Sequence, residues 1–167
     1  MTKFFTSDEH YHHKNVIRYC NRPYKNINEM NKALIENHNN IVSKDDIVYH
    51  LGDFSMISRS QGQKLESIIN NLNGMNILIL GNHDDLLPFT YVNMGFASVH
   101  TALYVEEFLL IHDPAMAVAV DDDQKVLCGH LHELTKFVNP CILNVGVDIW
   151  DYKPVSIDTV RRVFDNE

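Results

Sequence analysis

The side chains of this sequence that could bind metal ions occur in five short groups, each of which follows an apolar run. The candidate ligands are Asp8, His10, Asp53, Asn82, His112, His130 and His132. Their carboxylate, amide and imidazole atoms, with no thiolate among them, suit divalent ions such as Mn, Fe or Zn. Seven ligands exceed what one tetrahedral zinc ion uses. They suit two ions that share a bridging carboxylate, the arrangement with which some hydrolases cleave phosphate esters.

Glycine immediately precedes three of the candidate ligands, at Gly52, Gly81 and Gly129. A glycine at such a point permits a tight turn and a close approach of two segments of the chain. We therefore expect short side chains from different loops to converge on one site.

The elements that must position these groups are predicted by the hydrophobic pattern. The front half reads as strand, helix, strand, helix, strand, and this order predicts parallel strands joined by crossover helices. In such open sheets ligand sites form beyond the carboxyl ends of the strands, where the first three groups lie. The predicted strands cover residues 3–7, 47–51 and 77–80, and the predicted helices cover residues 28–42 and 58–72.

The back half of the chain has short apolar runs separated by turn residues. This pattern predicts a meander-like set of strands, followed by a closing helix with Ser156 as its N-cap. The predicted strands cover residues 98–106, 108–111, 126–128, 135–138 and 141–145, and the helix ends at residue 164.

The composition is that of a globular protein, with 45% hydrophobic and 22% charged residues. Because no linker, repeat or low-complexity segment interrupts it, we expect residues 1–167 to form one domain. No apolar run reaches the ~18 residues of a membrane span, and the first residues lack the pattern of a signal peptide. The three cysteines show no CxxC spacing and are expected to be reduced. We therefore expect a cytoplasmic protein that does not contact membranes.

The formal net charge of −8 restricts the classes of partner. A nonspecific grip on long duplex nucleic acid needs a basic surface, so the charge disfavours that partner. Bound cations would reverse the sign of the charge locally. The charge therefore disfavours a duplex substrate without excluding a small anionic substrate.

Five motifs, in this order, resemble those of the calcineurin-like metallophosphoesterase superfamily, and the resemblance extends over almost the whole chain. A single Asp-x-His or Gly-Asp pair often occurs by chance, whereas five motifs in order form a specific signal. The motifs are Asp8-x-His10, Gly52-Asp53, Gly81-Asn82-His83-Asp84, His112 and Gly129-His130-x-His132. Residues 49–54, residues 144–156, and His13-x-Asn15 followed by residues 21–24 are similar to a compact bacterial and phage branch of the superfamily.

The resemblance implies an α/β fold, a four-layer α/β/β/α sandwich of two mixed sheets, here without a cap domain. It also implies two divalent transition-metal ions, with Mn preferred over Fe, Zn or Ni, and a bridging hydroxide that attacks phosphorus. One metal would be held by Asp8, His10, Asp53 and His132, and the other by Asp53, Asn82, His112 and His130. His83 would protonate the leaving oxygen or stabilise charge on the phosphoryl group, and Asp84 would orient His83.

Other residues near the motifs are candidates for substrate contact. Arg22 could clamp phosphate, since a guanidinium binds phosphate oxygens in a two-pronged way, although an arginine beside a proline is often only a loop residue. His13 and Asn15 could line the mouth of the pocket or start a helix. Glu9 and Asp113 depart from the family pattern, and Glu9 could alter metal preference or substrate entry, or face solvent.

Three functions follow from these residues. The first is hydrolysis of a small nucleotide-like substrate, by a phosphodiesterase or phosphatase. The second is a nuclease that acts on short single-stranded nucleic acid with the same chemistry. The third is a non-catalytic protein-binding module on the same fold. A non-catalytic module would be expected to have lost some metal-binding residue types at these positions, and all seven candidate ligands are present.

Overall fold

Ten strands form two five-stranded sheets in the computed structural model, which describes residues 1–57 and 61–166. The first sheet contains β1 (Lys3–Thr6), β2 (Ile47–His50), β3 (Met75–Ile79), β4 (Ser98–His100) and β10 (Val155–Ser156). Its order is β10-β1-β2-β3-β4, in which β1 to β4 are parallel and β10 is antiparallel to β1. The parallel arrangement predicted for the front half is therefore confirmed.

The second sheet is also mixed rather than the meander that the sequence predicted. It contains β5 (Leu103–Val105), β6 (Phe108–Leu110), β7 (Lys125–Cys128), β8 (Phe137–Asn139) and β9 (Ile142–Asn144), in the order β5-β6-β7-β9-β8. The three central strands run parallel, and only the two outer strands are antiparallel to their neighbours. A short apolar run carries no information on strand direction, which is why the pattern misled. The single strand predicted over residues 98–106 is also wrong, because the chain passes there from β4 in one sheet to β5 in the other.

Five α-helices accompany the sheets in the part of the chain described. They are α1 (Lys14–Tyr19), α2 (Ile27–Asn39), α3 (Gly62–Asn71), α4 (Pro88–Asn93) and α5 (Ile157–Asp165). Ser156 caps α5 as predicted, since its hydroxyl accepts a hydrogen bond from the Thr159 N–H at 3.3 Å. The helix predicted over residues 58–72 corresponds to α3, and residues 58–60 lie outside the described part. The sequence missed α4, and it offered α1 only as a possible helix start at His13 and Asn15, where His13 is the N-cap; at six residues each, both helices are too short to show a helical period.

The core follows from the alternation of side chains along the strands. Phe5, Tyr49 and Ile79 of the first sheet pack with Phe108 and Leu127 of the second sheet in one buried cluster, so the two sheets face each other. The opposite face of the first sheet packs on helices, since a second cluster joins buried residues of β3, α2 and α3: Leu78, Met30, Leu34, Leu65 and Ile68. This gives helices, a sheet and a second sheet as successive layers.

The outer face of the second sheet is covered differently from the expected four-layer sandwich. Leu109, Val126 and Ile142 on that face pack against Ala117. Ala117 belongs to a 3₁₀ segment, Pro114–Ala119. Among the described residues, a 3₁₀ segment rather than an α-helix therefore lies over this face. No helix within those residues has the length and apolarity that a membrane span requires.

Candidate metal centre

The seven candidate ligands all lie within four residues of the carboxyl end of a parallel strand. Asp8 and His10 follow β1, Asp53 follows β2, Asn82 follows β3, His112 follows β6, and His130 and His132 follow β7. The loops of the two sheets meet at this edge, because the backbone N–H of His130 donates to both carboxylate oxygens of Asp8, at 3.1 and 2.9 Å. Groups far apart in the sequence are thus held side by side.

The donor atoms form two clusters with different residues. Asp8, His10 and His132 can each offer one ligand atom, and these atoms lie within 4.8 Å of one another. The same holds for Asp53, His112 and His130. The amide oxygen of Asn82 lies 3.0 Å from both His112 Nε2 and His130 Nδ1, so this residue joins the second cluster.

The carboxylate of Asp53 lies between the two clusters. Its Oδ2 atom is 3.5 Å from His10 Nε2, and its Oδ1 atom is 3.5 Å from His112 Nε2. One oxygen therefore faces each cluster, which is the geometry that a carboxylate shared by two cations requires.

Hydrogen bonds on the far side of two rings orient them toward these clusters. The Nδ1–H of His112 donates to the Leu51 carbonyl at 2.7 Å, and the Nδ1–H of His132 donates to Asp148 at 2.9 Å. Metal-bound histidines commonly make such a bond with the nitrogen that does not bind the metal. In both residues the Nε2 atom is left to act as a ligand.

Burial makes the first cluster costly without a cation. The Nε2 atom of His10 is buried and has no hydrogen-bond partner, and an unsatisfied buried polar atom of this kind carries an energetic cost. Burial raises the pKa of the Asp8 carboxyl group to about 7 and lowers the pKa of His10 to about 2. The unpartnered nitrogen beside buried carboxylates fits a divalent cation, which would supply the missing partner.

The backbone of the centre is strained at the candidate ligands. Five of the seven have a positive φ, namely Asp8 (58°), His10 (53°), Asp53 (54°), His130 (72°) and His132 (48°). Residues other than glycine occupy this left-handed region at a cost of order 1–3 kcal/mol each, and such residues cluster at functional sites. The packing of the two sheets must therefore hold these side chains in an arrangement that an isolated loop would not adopt.

Glycine is required at Gly81 and Gly129 by close approach. A Cβ atom at Gly81 would overlap Oδ1 and the backbone N of Asp53, and one at Gly129 would overlap the Ser7 hydroxyl and lie 2.7 Å from Asp8 Oδ2. The expectation that these glycines let neighbouring loops converge is met at both positions.

His83 and His13 lie at the open side of the centre. His83 Nε2 is 4.0 Å from Asp53 Oδ2, and 38% of the His83 side chain is exposed. His13 Nδ1 lies 3.2 Å from His10 Nδ1. Asn15 is exposed on α1, and its side chain makes no hydrogen bond among the described residues. The structure thus brings His83 and His13 to the candidate ligands.

Asp84 does not contact the His83 ring, so the expected orienting role needs correction. Its buried carboxylate accepts hydrogen bonds from the backbone N–H groups of Gly81 (2.8 Å), Asp53 (2.8 Å) and Phe54 (3.1 Å). Burial raises the pKa of Asp84 to about 7. Asp84 therefore joins the loops after β2 and β3, and it positions Asp53 rather than His83.

Arg22 is buried, and the prediction that it clamps phosphate is wrong in this structure. Its guanidinium donates to both oxygens of Asp148, at 2.8 and 2.9 Å, and to the carbonyls of Glu9 (2.8 Å) and Asp8 (2.6 Å). The side chain is 0% exposed, which leaves no donor for a substrate. Arg22 instead ties the loop after β1 to Asp148.

Asp148 is the supporting residue that sequence reasoning missed. It bonds both Arg22 and the His132 ring. Burial lowers the pKa of His132, but the hydrogen bond to Asp148 and the charge of Asp8 act in the opposite direction, and this pKa is raised to about 10. The surroundings of the ring thus favour positive charge. The only available signal was the position of Asp148 within the stretch 144–156, and this did not distinguish it from an ordinary turn aspartate.

Glu9 faces inward rather than toward solvent or substrate. Its Oε1 atom lies 2.6 Å from Nδ1 of His50, and Nε2 of His50 lies 3.0 Å from the amide oxygen of Asn76. All three side chains are buried. His50 therefore lies behind the candidate ligands, between Glu9 and Asn76.

The chain has relatives whose names give no activity. No model of a known protein family matches it. It is 37% identical over 168 residues to an uncharacterized protein of Methanocaldococcus jannaschii, across 97% of this chain and 90% of that protein. The chain belongs to the family of that M. jannaschii protein. The gene 66 protein of Mycobacterium phage L5 is 28% identical over 180 residues, which cover 88% of this chain and 86% of the phage protein.

Two crystal structures share the fold at low sequence identity. A protein of unknown function from Aquifex aeolicus superposes with a TM-score of 0.73 at 22% identity, over 97% of this chain and 98% of the other. The nuclease MPE of Pseudomonas putida superposes with a TM-score of 0.54 at 20% identity, over 78% of this chain and 61% of the nuclease. These likenesses establish the fold, and one of the two structures is that of a nuclease.

Proposed function

We propose that this protein is a phosphoesterase of the calcineurin-like metallophosphoesterase superfamily that depends on two divalent metal ions. Its substrate is a small nucleotide-like phosphate ester, cleaved as a phosphodiester or monoester. The proposal gives the first ion to Asp8, His10, Asp53 and His132. It gives the second ion to Asp53, Asn82, His112 and His130, with Mn preferred over Fe, Zn or Ni.

One observation supports this proposal most strongly. The two oxygens of Asp53 each lie 3.5 Å from a histidine Nε2 of a different cluster. A cluster that bound a single ion would need only one of these oxygens, so the arrangement favours a pair of cations with Asp53 between them. The unpartnered Nε2 atom of His10 points the same way.

The residues of the chain then have distinct roles. When bound, the two ions would supply Lewis acidity toward a phosphoryl oxygen and a nucleophile at neutral pH. His83, which is partly exposed and 4.0 Å from Asp53, would hold the proton that the leaving oxygen takes or donate a hydrogen bond to the phosphoryl group. His13 would line the same side, beside His10.

A nuclease acting on short single strands is the second candidate function. It is favoured by the shared fold with the P. putida nuclease and by the exposed position of His83. The charge of −8 disfavours a long duplex substrate, whereas a short strand could still bind. The alternative of a non-catalytic module is opposed by the joint placement of all seven candidate ligands in two clusters.

The proposal is tested by hydrolysis of bis-p-nitrophenyl phosphate and p-nitrophenyl phosphate with metal-stripped protein, to which Mn, Fe, Zn, Ni or Mg is added singly. We expect a transition metal to restore activity. His83→Ala should lower the rate by roughly 10²–10⁴-fold, the range for loss of a general acid. Asp53→Asn should lower the number of bound metal ions, measured by elemental analysis. The matched control is His100→Ala, since His100 bonds Ser98 outside the candidate ligands.

The outcomes separate the alternatives. Two bound ions without hydrolysis of any ester would support the non-catalytic module and refute the phosphoesterase. Faster cleavage of short single-stranded oligonucleotides than of either p-nitrophenyl ester would favour the nuclease. Full activity of the His83→Ala variant would show that His83 has no role in the reaction.

A further inference from the structure

An exposed aromatic ring lies beside the proposed centre. Tyr19, the last residue of α1, is 61% exposed. Its ring is in edge contact with the ring of His13, at a centroid distance of 6.3 Å and an interplanar angle of 77°. The exposed ring is therefore open to a ligand beside the candidate ligands.

The His13 ring connects Tyr19 to the candidate ligand His10 and to His83. The His13 ring lies 5.1 Å from the His10 ring and 6.4 Å from the His83 ring, measured between centroids. The path from His10 through His13 to Tyr19 therefore leads from the buried centre to the surface.

Helix α1, which carries Tyr19, is basic, although the chain as a whole is acidic. Helix α1 contains Lys14 and Arg18 and no acidic residue, whereas the whole chain has a charge of −8. The Arg18 guanidinium lies 5.6 Å from the centroid of the Tyr19 ring. Such a contact holds the ring in place and adds a guanidinium that can itself stack on a base.

We propose that Tyr19 is a stacking platform for the base of a nucleotide whose phosphate occupies the metal centre, with Arg18 beside it. This inference rests on the proposed function and names its substrate class, a nucleotide rather than an alkyl or sugar phosphate. Every nucleobase has a π-face, so a tyrosine platform selects for a base without choosing its sequence. Tyr19 is in this sense a specificity residue that takes no part in the chemistry.

The platform is tested by calorimetric titration of the Mn-loaded protein with AMP and with ribose 5-phosphate, which has the phosphate and sugar but no base. Every protein in this titration, including the Tyr19 and Tyr104 variants, also carries His83→Ala, which slows hydrolysis of the ligand. Stacking on one aromatic side chain predicts that AMP binds about 5- to 150-fold more tightly than ribose 5-phosphate. Tyr19→Ala should bring this ratio close to one, and Tyr19→Trp should keep it. Tyr104→Ala is the matched control, since Tyr104 is 63% exposed on β5 and touches none of the candidate ligands described.

The results distinguish failure of the platform from failure of the proposed function. An AMP preference that survives in Tyr19→Ala, or equal binding of the two ligands by a protein that hydrolyses esters, would overturn the platform alone. If neither ligand bound, and the protein with His83 intact hydrolysed no ester, both the platform and the proposed function would be overturned. An unchanged circular dichroism spectrum of Tyr19→Ala would show that any lost preference is not a loss of fold.

Discussion

Replacing Arg22 by methionine should destabilise the whole fold, because the side chain is part of a buried ion pair and not of a substrate clamp. Its guanidinium makes two hydrogen bonds to Asp148 and one each to the carbonyls of Glu9 and Asp8. The Arg22 and Asp148 side chains are 0% and 1% exposed. In Arg22→Met the Asp148 carboxylate keeps its charge but loses its main cationic partner, and two buried carbonyls lose a donor.

The magnitude follows from this burial. Removing one partner of a buried ion pair costs about 3–5 kcal/mol. In a domain of this length each kcal/mol lowers the melting temperature by roughly 2–4 °C, so we expect a decrease of about 6–20 °C. That loss is a large part of the 5–15 kcal/mol that typically separates folded from unfolded protein.

The assay is thermal and urea unfolding followed by circular dichroism, with a chelator present so that metal binding does not contribute. The matched control is Arg161→Met. Arg161 makes the same two-pronged contact, with Glu107 at 2.7 and 2.9 Å, but the two side chains are 41% and 38% exposed. An exposed pair of this kind contributes about 0–1 kcal/mol, so the control should melt within a few degrees of the unmodified protein.

One result would refute this reasoning. That result is a melting temperature of Arg22→Met equal to that of the control, together with a sharp rise in the Michaelis constant for a phosphate ester. Arg22 would then contact the substrate and would not be part of a buried ion pair. A partial recovery of stability in Arg22→Met with Asp148→Leu, without recovery of metal binding, would support the structure, because an apolar pair removes the unpaired charge.

Three further outcomes are expected. Gly81→Ala should lower metal affinity at least tenfold and cost about 1–3 kcal/mol of stability, because its Cβ atom would overlap Asp53; titration with Mn and urea unfolding measure the two effects. A chelator should lower the melting temperature of the unmodified protein, since ions that bind only the folded state stabilise it, and Asp53→Asn should show a smaller shift. Burial lowers the pKa of His38 to about 4 from an ordinary value of 6.5. The unfolded chain therefore binds more protons, and stability should fall by up to about 3 kcal/mol as the pH drops from 6.5 to 4, a loss that should be smaller in His38→Gln.

Each of these outcomes has a control or a contrary result. Gly62→Ala is the control for Gly81→Ala, because the added Cβ would meet only the flexible end of Met94. A melting temperature unaffected by chelator, in protein shown to have carried metal, would contradict a folded-state metal centre. Equal pH dependence of stability in the unmodified protein and His38→Gln would assign the acid sensitivity to other buried groups.

The sequence alone predicted the parallel front sheet and the strand ends at which the candidate ligands lie. Both follow from local chemistry, since apolar runs of strand length ended by glycine and a polar side chain determine where a strand stops. The N-cap at Ser156 is equally local, because one hydroxyl bonds an N–H three residues ahead. The predictions failed where direction or length mattered, at the parallel strands of the second sheet and at the short helix α4.

Only the tertiary structure decided which polar side chains face the centre and which support it. Arg22, Glu9 and Asp84 have the residue types of substrate or metal contacts, yet each is turned inward to a partner distant in the sequence: Asp148, His50 and the backbone of Asp53, respectively. The physical reason is that a buried charge must find a partner within hydrogen-bond distance. Which partner lies within that distance depends on how the two sheets pack. The spacing of residues along the chain does not reveal which partner that is.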